Sequence, residues 1–300
     1  MNSSEIVVIG SYCYDVGLQV ESFPAPGETV LAGGHLESHG GKGSNQAINA
    51  RRAGSSVAFV GAVGQDAAGN GALDMWRKEG IDTSYALVRP STATGMAFIV
   101  IAASGENQIV VSPGANSSLS PQDLAAARSC IEGASLVLAQ LEVPTATVAE
   151  AFRLGREAGA VTVLNAAPAL VEIPDEVWTN TDFLIVNETE ARQLTGHATE
   201  DDRQLCNILG SRVRLGVVIT LGAKGAIGIV AGGELVTAPA PSIEVVDSTG
   251  AGDAFVGAFC HGWLRTHDLL ASMQMGTAAG SLACTTRGAV PPLNNAKLKE

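Results

Sequence analysis

Val246-Asp247-Ser248-Thr249-Gly250-Ala251-Gly252-Asp253-Ala254-Phe255 runs from an apolar, strand-like segment through two glycines to an acid that opens a helix. Gly250 and Gly252 carry no Cβ, so the backbone can turn sharply there and let a ligand come close. The first amides of the following helix have no partner inside it, and with the helix dipole behind them they favour negative charge. Asp253 is an acid set beside that anion site. One arrangement uses both features: the amides stabilise charge growing on a phosphoryl group while the carboxylate takes the proton of the attacking hydroxyl. Taken alone, the same residues fit equally an ordinary strand-to-helix loop with Asp253 as a first-turn acid. Two other glycine loops are excluded by spacing. After Gly252 the next glycine is Gly257, which breaks the dinucleotide pattern G-x-G-x-x-G, and no Ser or Thr directly follows the lysine in Gly40-Gly41-Lys42-Gly43-Ser44, as a P-loop requires.

The chain has 300 residues, 46% hydrophobic and 16% charged, with 35 glycines. This composition suits a globular enzyme and argues against disorder. A formal net charge of −12 disfavours a nucleic-acid partner, because phosphate contacts need clustered Lys and Arg. An anionic ligand must therefore be held by local amides, a few cations and a metal. The five cysteines form no C-x-x-C pair, which argues against a disulfide framework or zinc site and for a reducing compartment. Glu5 stands where a signal peptide needs positive charge, and no apolar run reaches membrane-spanning length. A soluble, cytoplasmic protein without a membrane partner is expected.

Along the chain, short apolar runs alternate with helical patterns. Strands are expected at 6–9, 57–60, 136–138, 161–164, 183–186 and 217–219. Helices are expected from Gly40 to about Ala53, at 66–79, 121–131 and 145–158, from Glu188, from Asp253 to about Arg265, and from about Leu269 to Cys284. That order predicts a doubly wound, mainly parallel α/β sheet flanked by helices. Between about 16–37 and 94–112 the helical period disappears. Residues 18–20, 28–31, 94–101 and 108–112 read as four short strands of a small separate sheet, with a hairpin turn at 104–107. Such a sheet serves as a lid or a dimerisation surface, and the two are compatible. No linker or repeat divides residues 1–300, so a single domain with a lid is expected.

Polar residues follow the strands at one end, where open α/β sheets bind ligands. Asp15 comes after the first, Gln140-Leu141-Glu142 after 136–138, Asn165 after 161–164, Asn187-Glu188-Thr189-Glu190 after 183–186, and Thr220-Leu221-Gly222-Ala223-Lys224-Gly225 after 217–219. Each alone is a helix cap, turn or edge residue as readily as a ligand. Glycines at 40, 41 and 43 free backbone amides to face a ligand, and Lys42 and Asn45 add a charge and a carboxamide.

Taken together, these motifs resemble the ribokinase family of carbohydrate kinases, also called the phosphofructokinase-B family. The resemblance covers nearly the whole chain. It rests on Ser22-Phe23-Pro24-Ala25-Pro26-Gly27-Glu28-Thr29, Gly40-Gly41-Lys42-Gly43-Ser44-Asn45-Gln46-Ala47, Asn187-Glu188-Thr189-Glu190 and Asp247-Ser248-Thr249-Gly250-Ala251-Gly252-Asp253. It implies transfer of the γ-phosphoryl group of ATP, with Mg²⁺, to a primary hydroxyl of a pentose such as ribose. Asp253 would be the general base, with the amides of Gly250, Ala251, Gly252 and Asp253 as anion hole. Asp15, Gly41, Lys42, Asn45 and Glu142, with Asp253, would hold the sugar. Asn187, Thr220, Gly222, Gly225 and Gly252 would hold the nucleotide, and Glu190 would order water around magnesium. A monovalent cation, potassium in this family, would sit at the Asp247 side chain and the carbonyls of Thr249, Ala283, Thr286 and Gly288. The resemblance also implies a homodimer joined through the lid.

Two positions depart from the family pattern. Cys13 replaces the Asn of Asn-x-Asp, and a thiol is a poor substitute for a carboxamide, which opens the acceptor to a deoxygenated or differently configured sugar. Pro292 replaces a hydroxyl residue near the cation loop, which leaves potassium dependence open. The alternatives are a kinase for another sugar or a nucleoside, and a catalytically silent sugar-binding regulatory protein. A silent protein would be expected to lose Asp253 or its glycines. A Rossmann dehydrogenase would need G-x-G-x-x-G where Gly10-Ser11-Tyr12-Cys13-Tyr14-Asp15 stands.

Overall fold

A computed structural model describes residues 4–170, 172–196 and 201–290. Among these, the chain runs through β1 (Ile6–Ile9), β2 (Cys13–Val20), β3 (Gly34–Gly40), α1 (Lys42–Ala53), β4 (Val57–Gly64), α2 (Ala67–Lys78) and β5 (Ala86–Arg89). It continues through β6 (Met96–Ala102), β7 (Asn107–Ser112), α3 (Arg128–Glu132), β8 (Leu136–Gln140), α4 (Thr145–Glu157), β9 (Val161–Asn165), α5 (Asp175–Thr179) and β10 (Phe183–Asn187). The last third forms α6 (Glu188–Thr195), α7 (Asp202–Gly210), β11 (Gly216–Thr220), β12 (Ala226–Val230), β13 (Val236–Ala238), α8 (Ala251–Thr266) and α9 (Leu269–Ala283).

Nine strands form one sheet in the order β13-β12-β11-β10-β9-β8-β1-β4-β5. From β11 to β5 every pairing is parallel, and β12 and β13 add an antiparallel edge. Strand β1 is buried along its whole length, which explains its unbroken apolar run: side chains alternate between two covered faces. Val7 and Ile9 join a core with Phe152 of α4, Trp178 of α5 and Leu205 of α7. Ile6 and Val8 join another with Ile48 of α1, Trp76 of α2, and Phe255 and Phe259 of α8. The expected doubly wound, mainly parallel sheet flanked by helices is what the structure contains.

Strands β3-β2-β6-β7 form the second sheet, in which β2 pairs parallel with β6 although some eighty residues of chain separate them. Two expectations need correction. Residues 28–31 form no strand, and Leu31 is 91% exposed; the strand is Gly34–Gly40, registered antiparallel on β2. Its sequence Gly-His-Leu-Glu-Ser-His-Gly carries no apolar alternation, so pairing with β2 and not propensity makes it a strand. Residues 121–131 do not form one helix. They break into a 3₁₀ turn at Pro121–Ala125 and the short α3, with Asp123 held by Ser120 and, at 2.6 Å, by Arg89. Strands β5, β12 and β13 and helices α5 and α7 go beyond what the sequence pattern led us to expect.

Helices α1 and α8 cross closely at Gly257. A Cβ built there would lie 2.6 Å from the Ala50 nitrogen and 2.7 Å from the Gln46 carbonyl oxygen. Helix propensity favours alanine over glycine by about 1 kcal/mol, but a clash with backbone cannot be relieved by turning a side chain. We therefore expect Gly257→Ala to destabilise the protein by about 1–3 kcal/mol in urea unfolding. A neutral or stabilised variant would show that the helices do not pack this closely.

Candidate active site

Five parallel strands end on one side of the main sheet and deliver polar residues there: Ser11 after β1, Gln140 and Glu142 at and after β8, Asn165 on β9, Asn187 on β10 and Thr220 on β11. Strand β1 lies between β8 and β4, where successive connections turn in opposite directions. This is the crevice in which doubly wound sheets hold ligands.

The first turn of α8 points into that crevice. Gly250 caps the helix with φ 76°, and a Cβ on it would meet the Ala289 carbonyl oxygen at 2.5 Å, so glycine is required twice over. Asp253 is 8% exposed. Its Oδ2 accepts from Asn45 Nδ2 and its Oδ1 from Gln46 Nε2, each at 2.9 Å. Burial pushes its carboxyl above the ordinary range, while Lys42 and the Asn45 and Gln46 amides pull it back and Glu142 adds to the rise. A cavity of about 130 Å³ opens on this carboxylate, lined also by Lys42, Asn187, Glu190, Gly250 and Gly252.

The residues assigned to the sugar gather beside it. Glu142 accepts from the Lys42 amide at 2.9 Å and from the Ser11 hydroxyl. Gly41 has φ 87°, and a Cβ there would strike the Cys13 nitrogen at 2.7 Å. Asn45 donates to Asp253 while its Oδ1 is buried with no hydrogen-bond partner among the described residues, an acceptor suited to a sugar hydroxyl. Asp15, on β2, lies against Gly40; burial, and then the Glu142 charge, push its carboxyl up to about 7. Cys13 is buried, its thiol pushed up to about 12 by burial and by Glu142 and Asp15, and Asn116 Nδ2 lies 3.8 Å from its sulfur.

A second cavity of about 440 Å³ adjoins the first and shares Thr220 and Gly252 with it. Gly222, Gly225 and Ala251 line it, together with apolar walls from Ile243, Val245 and Phe255. Its volume falls in the range of small-molecule sites. Asn187 and Glu190 face the smaller cavity and cap α6 reciprocally: Glu190 Oε2 accepts from the Asn187 amide at 2.9 Å and Asn187 Oδ1 from the Glu190 amide at 2.8 Å. Burial raises the Glu190 carboxyl, opposed by that amide and by Lys42.

The Asp247 carboxylate accepts from the Thr249 amide and hydroxyl and, at 2.9 Å, from the Gly288 amide. Burial works to raise its carboxyl, but these bonds and Arg287 outweigh it and hold it below the usual range. The Asp247 amide donates to the Cys284 carbonyl and the Thr286 amide to that of Ala283. The loops that carry Asp247, Thr249, Ala283, Thr286 and Gly288 are thus neighbours. Pro292 lies outside the described residues. No cluster of three or more His, Cys, Asp or Glu side chains able to hold a metal occurs among the described residues.

Four residues join the site without a role read from sequence: Ser11, Gln46, Gln140 and Asn165. Gln46, Gln140 and Asn165 stand inside motifs or strand ends that the sequence marks, but their mutual hydrogen bonds join three distant segments. The apolar wall of the larger cavity, at residues 240–245, carries no motif at all.

Comparison with known proteins gives a consistent picture. The profile of the pfkB family carbohydrate kinases matches residues 3–296. A ribokinase of Haemophilus influenzae is 35% identical over 287 residues, covering 95% of this chain and 93% of that protein. A deoxyribokinase of Salmonella typhi is 34% identical over 287 residues, covering 95% and 94%. The structure of Arabidopsis thaliana ribokinase complexed with ribose and ATP superposes with a TM-score of 0.88 at 29% identity, covering 96% of this chain and 95% of that one.

The raised Asp15 carboxyl has a consequence for stability. The folded chain keeps this proton up to about pH 7, whereas the unfolded chain releases it near 3.8. The native state therefore loses stability as pH rises through that window. Asp15→Asn, which cannot titrate, should melt above the parent protein at about pH 8, and the two should converge below about pH 4. A difference in melting temperature that is the same at both pH values would contradict the perturbed carboxyl.

Proposed function

The chain belongs to the pfkB family of carbohydrate kinases, and on that footing we propose that it transfers the γ-phosphoryl group of ATP to a primary hydroxyl of a pentose such as ribose. The observation that carries this reading is the buried Asp253 carboxylate, at the first turn of α8, on the wall of the cavity that joins the sugar-side residues to the larger one. In this reading Asp253 takes the acceptor's hydroxyl proton, and a carboxyl raised by burial is better matched to that task at neutral pH than an exposed one. The amides of Gly250 to Asp253 stabilise charge on the transferring group. Asp15, Gly41, Lys42, Asn45 and Glu142 orient the sugar. Thr220, Gly222 and Gly225 line the nucleotide's place, with Asn187 at its phosphate end. The small sheet acts as a lid that excludes water and suppresses ATP hydrolysis.

Magnesium would neutralise phosphate charge, held through water by Glu190, whose oxygen chemistry suits a hard cation. Potassium would be held by Asp247 and the carbonyls of Thr249, Ala283, Thr286 and Gly288, an all-oxygen donor set. Leu36, Ile109 and Val111 are exposed on one face of the small sheet and Phe98 and Val110 on the other, and a homodimer through this sheet would cover one of these faces. Five unpaired cysteines and the absence of a helix long and apolar enough to cross a membrane, among the described residues, fit a cytoplasmic setting.

Cys13 favours a second reading of the acceptor. A buried neutral thiol offers little to a sugar hydroxyl, and the Salmonella typhi relative is a deoxyribokinase. The acceptor then lacks a hydroxyl, or is another sugar or a nucleoside.

ADP release from Mg-ATP across a panel of sugars and nucleosides, with and without potassium, tests the proposal; no acceptor above background would leave a silent sugar-binding protein. Asp253→Asn should fold normally and lose about 10²–10⁴-fold in kcat, and near-parental turnover would refute its role. Cys13→Asn should shift preference toward ribose; an unchanged ranking of sugars would show that this position does not select.

A further inference from the structure

Gln46 lies in the middle of the buried polar layer beneath Asp253. It is fully buried, and both of its N–H donors and its oxygen are engaged. Nε2 donates to Asp253 Oδ1 at 2.9 Å and to Asn165 Oδ1 at 2.8 Å, and Oε1 accepts from Gln140 Nε2 at 2.6 Å. A carboxamide has two N–H donors and one acceptor oxygen, so this set of partners fixes which way the group faces. Turned over, its oxygen would oppose two acceptor oxygens and its nitrogen would oppose the Gln140 donor. Asn165 is oriented in turn by donating to the Ile185 carbonyl at 3.0 Å. The hydrogen-bond chain therefore runs in one direction, from Gln140 on β8 through Gln46 on α1 to Asp253 on α8.

We propose that Gln46 is the positioning residue of the base: Gln140 and Asn165 aim its amide so that one N–H is committed to Asp253 Oδ1, holding the carboxylate in place and in its charged form. The inference rests on the reading of Asp253 as general base. Asn45, the other amide that touches Asp253, is a sugar-side residue with an oxygen left to engage the acceptor. Every contact of Gln46 is internal, so its hold does not change when the acceptor arrives. The charged groups around Asp253 do not replace it. Lys42 on α1 favours the ionised form, Glu142 after β8 opposes it, and Glu190 on α6 lines the same cavity with another carboxylate. A hydrogen bond donated to the charged form works against the burial that favours the neutral one.

Three variants test this: Gln46→Leu, Gln140→Leu and Asp253→Asn, each assayed for kcat/KM toward the acceptor against pH, for the KM of ATP and for melting temperature. In Gln46→Leu the acid limb of the pH profile should move up by about one pH unit, with activity on the acid side of the limb down about tenfold and recovering as pH rises. The KM for ATP should not change. Gln140→Leu should move the limb in the same direction by less, because it leaves the Gln46 oxygen without its donor and loosens the hold on the amide, and it supplies the readout if Gln46→Leu does not fold. A limb that stays in place in the folded variants, whatever their melting temperature, overturns the proposal. Full activity of Asp253→Asn would overturn the reading of the base and this inference with it, whereas an inactive Asp253→Asn beside an unmoved limb would overturn the role of Gln46 alone.

Discussion

A carboxylate taken out of water is costly unless its charge is met, and the contact between α1 and α8 is where this structure meets it. Helix α8 contributes the acid and α1 two amides that reach it at 2.9 Å. Gly257 lets the helix backbones approach closely enough for short side chains to touch. Helix α1 is itself fixed at its start, where the Ser44 amide donates to the Ser11 carbonyl and Trp76 Nε1 donates to the Ser44 hydroxyl, each at 2.9 Å. Trp76 packs against Phe59 of β4 and edge-on to Tyr12. Core packing on one face of the main sheet thus sets the position of the polar layer above the strand ends.

The strand ends supply the rest. Parallel pairing from β11 to β4 puts the residues after five strands at one level, so Ser11, Glu142, Asn165, Asn187 and Thr220 meet although the chain between them spans more than two hundred positions. The crevice they border has two compartments that touch at Thr220 and Gly252. The smaller is polar and acidic, and the larger has apolar walls. That division matches a ligand with a charged end and an aromatic end, which a nucleotide is.

The parts of this site legible in the sequence are those whose chemistry is local. The glycines and acid from Gly250 to Asp253, the Gly40-Gly41-Lys42 turn and the capping pair Asn187 and Glu190 each declare themselves within four residues, because helix starts and tight turns are short-range features. The buried strands were legible for the same reason. Strand β3 was not, since its partner β2 and not its own side chains makes it extended, and neither was the interrupted segment at 121–131, where Asp123 is claimed by Arg89. Gln46, Gln140 and Asn165 could be noted as polar residues near strand ends, but which atom donates to which depends on three segments meeting in space. The wall of the larger cavity at residues 240–245 is apolar and irregular, so no period reveals it.

The residues proposed to hold the sugar are shared between the two sheets. Asp15 rides on β2, whereas Lys42, Asn45 and Glu142 belong to the body of the main sheet and its helices. The chain passes between the sheets at residues 10–12, 41, 90–95 and 113, and the first two crossings lie next to Asp15 and Lys42. The small sheet is therefore tethered at four points, two of them beside the crevice. Asp15 thus belongs to the tethered sheet while Glu142 and Asp253 belong to the main body, so any displacement of the small sheet about its tethers would change the spacing of these three carboxylates.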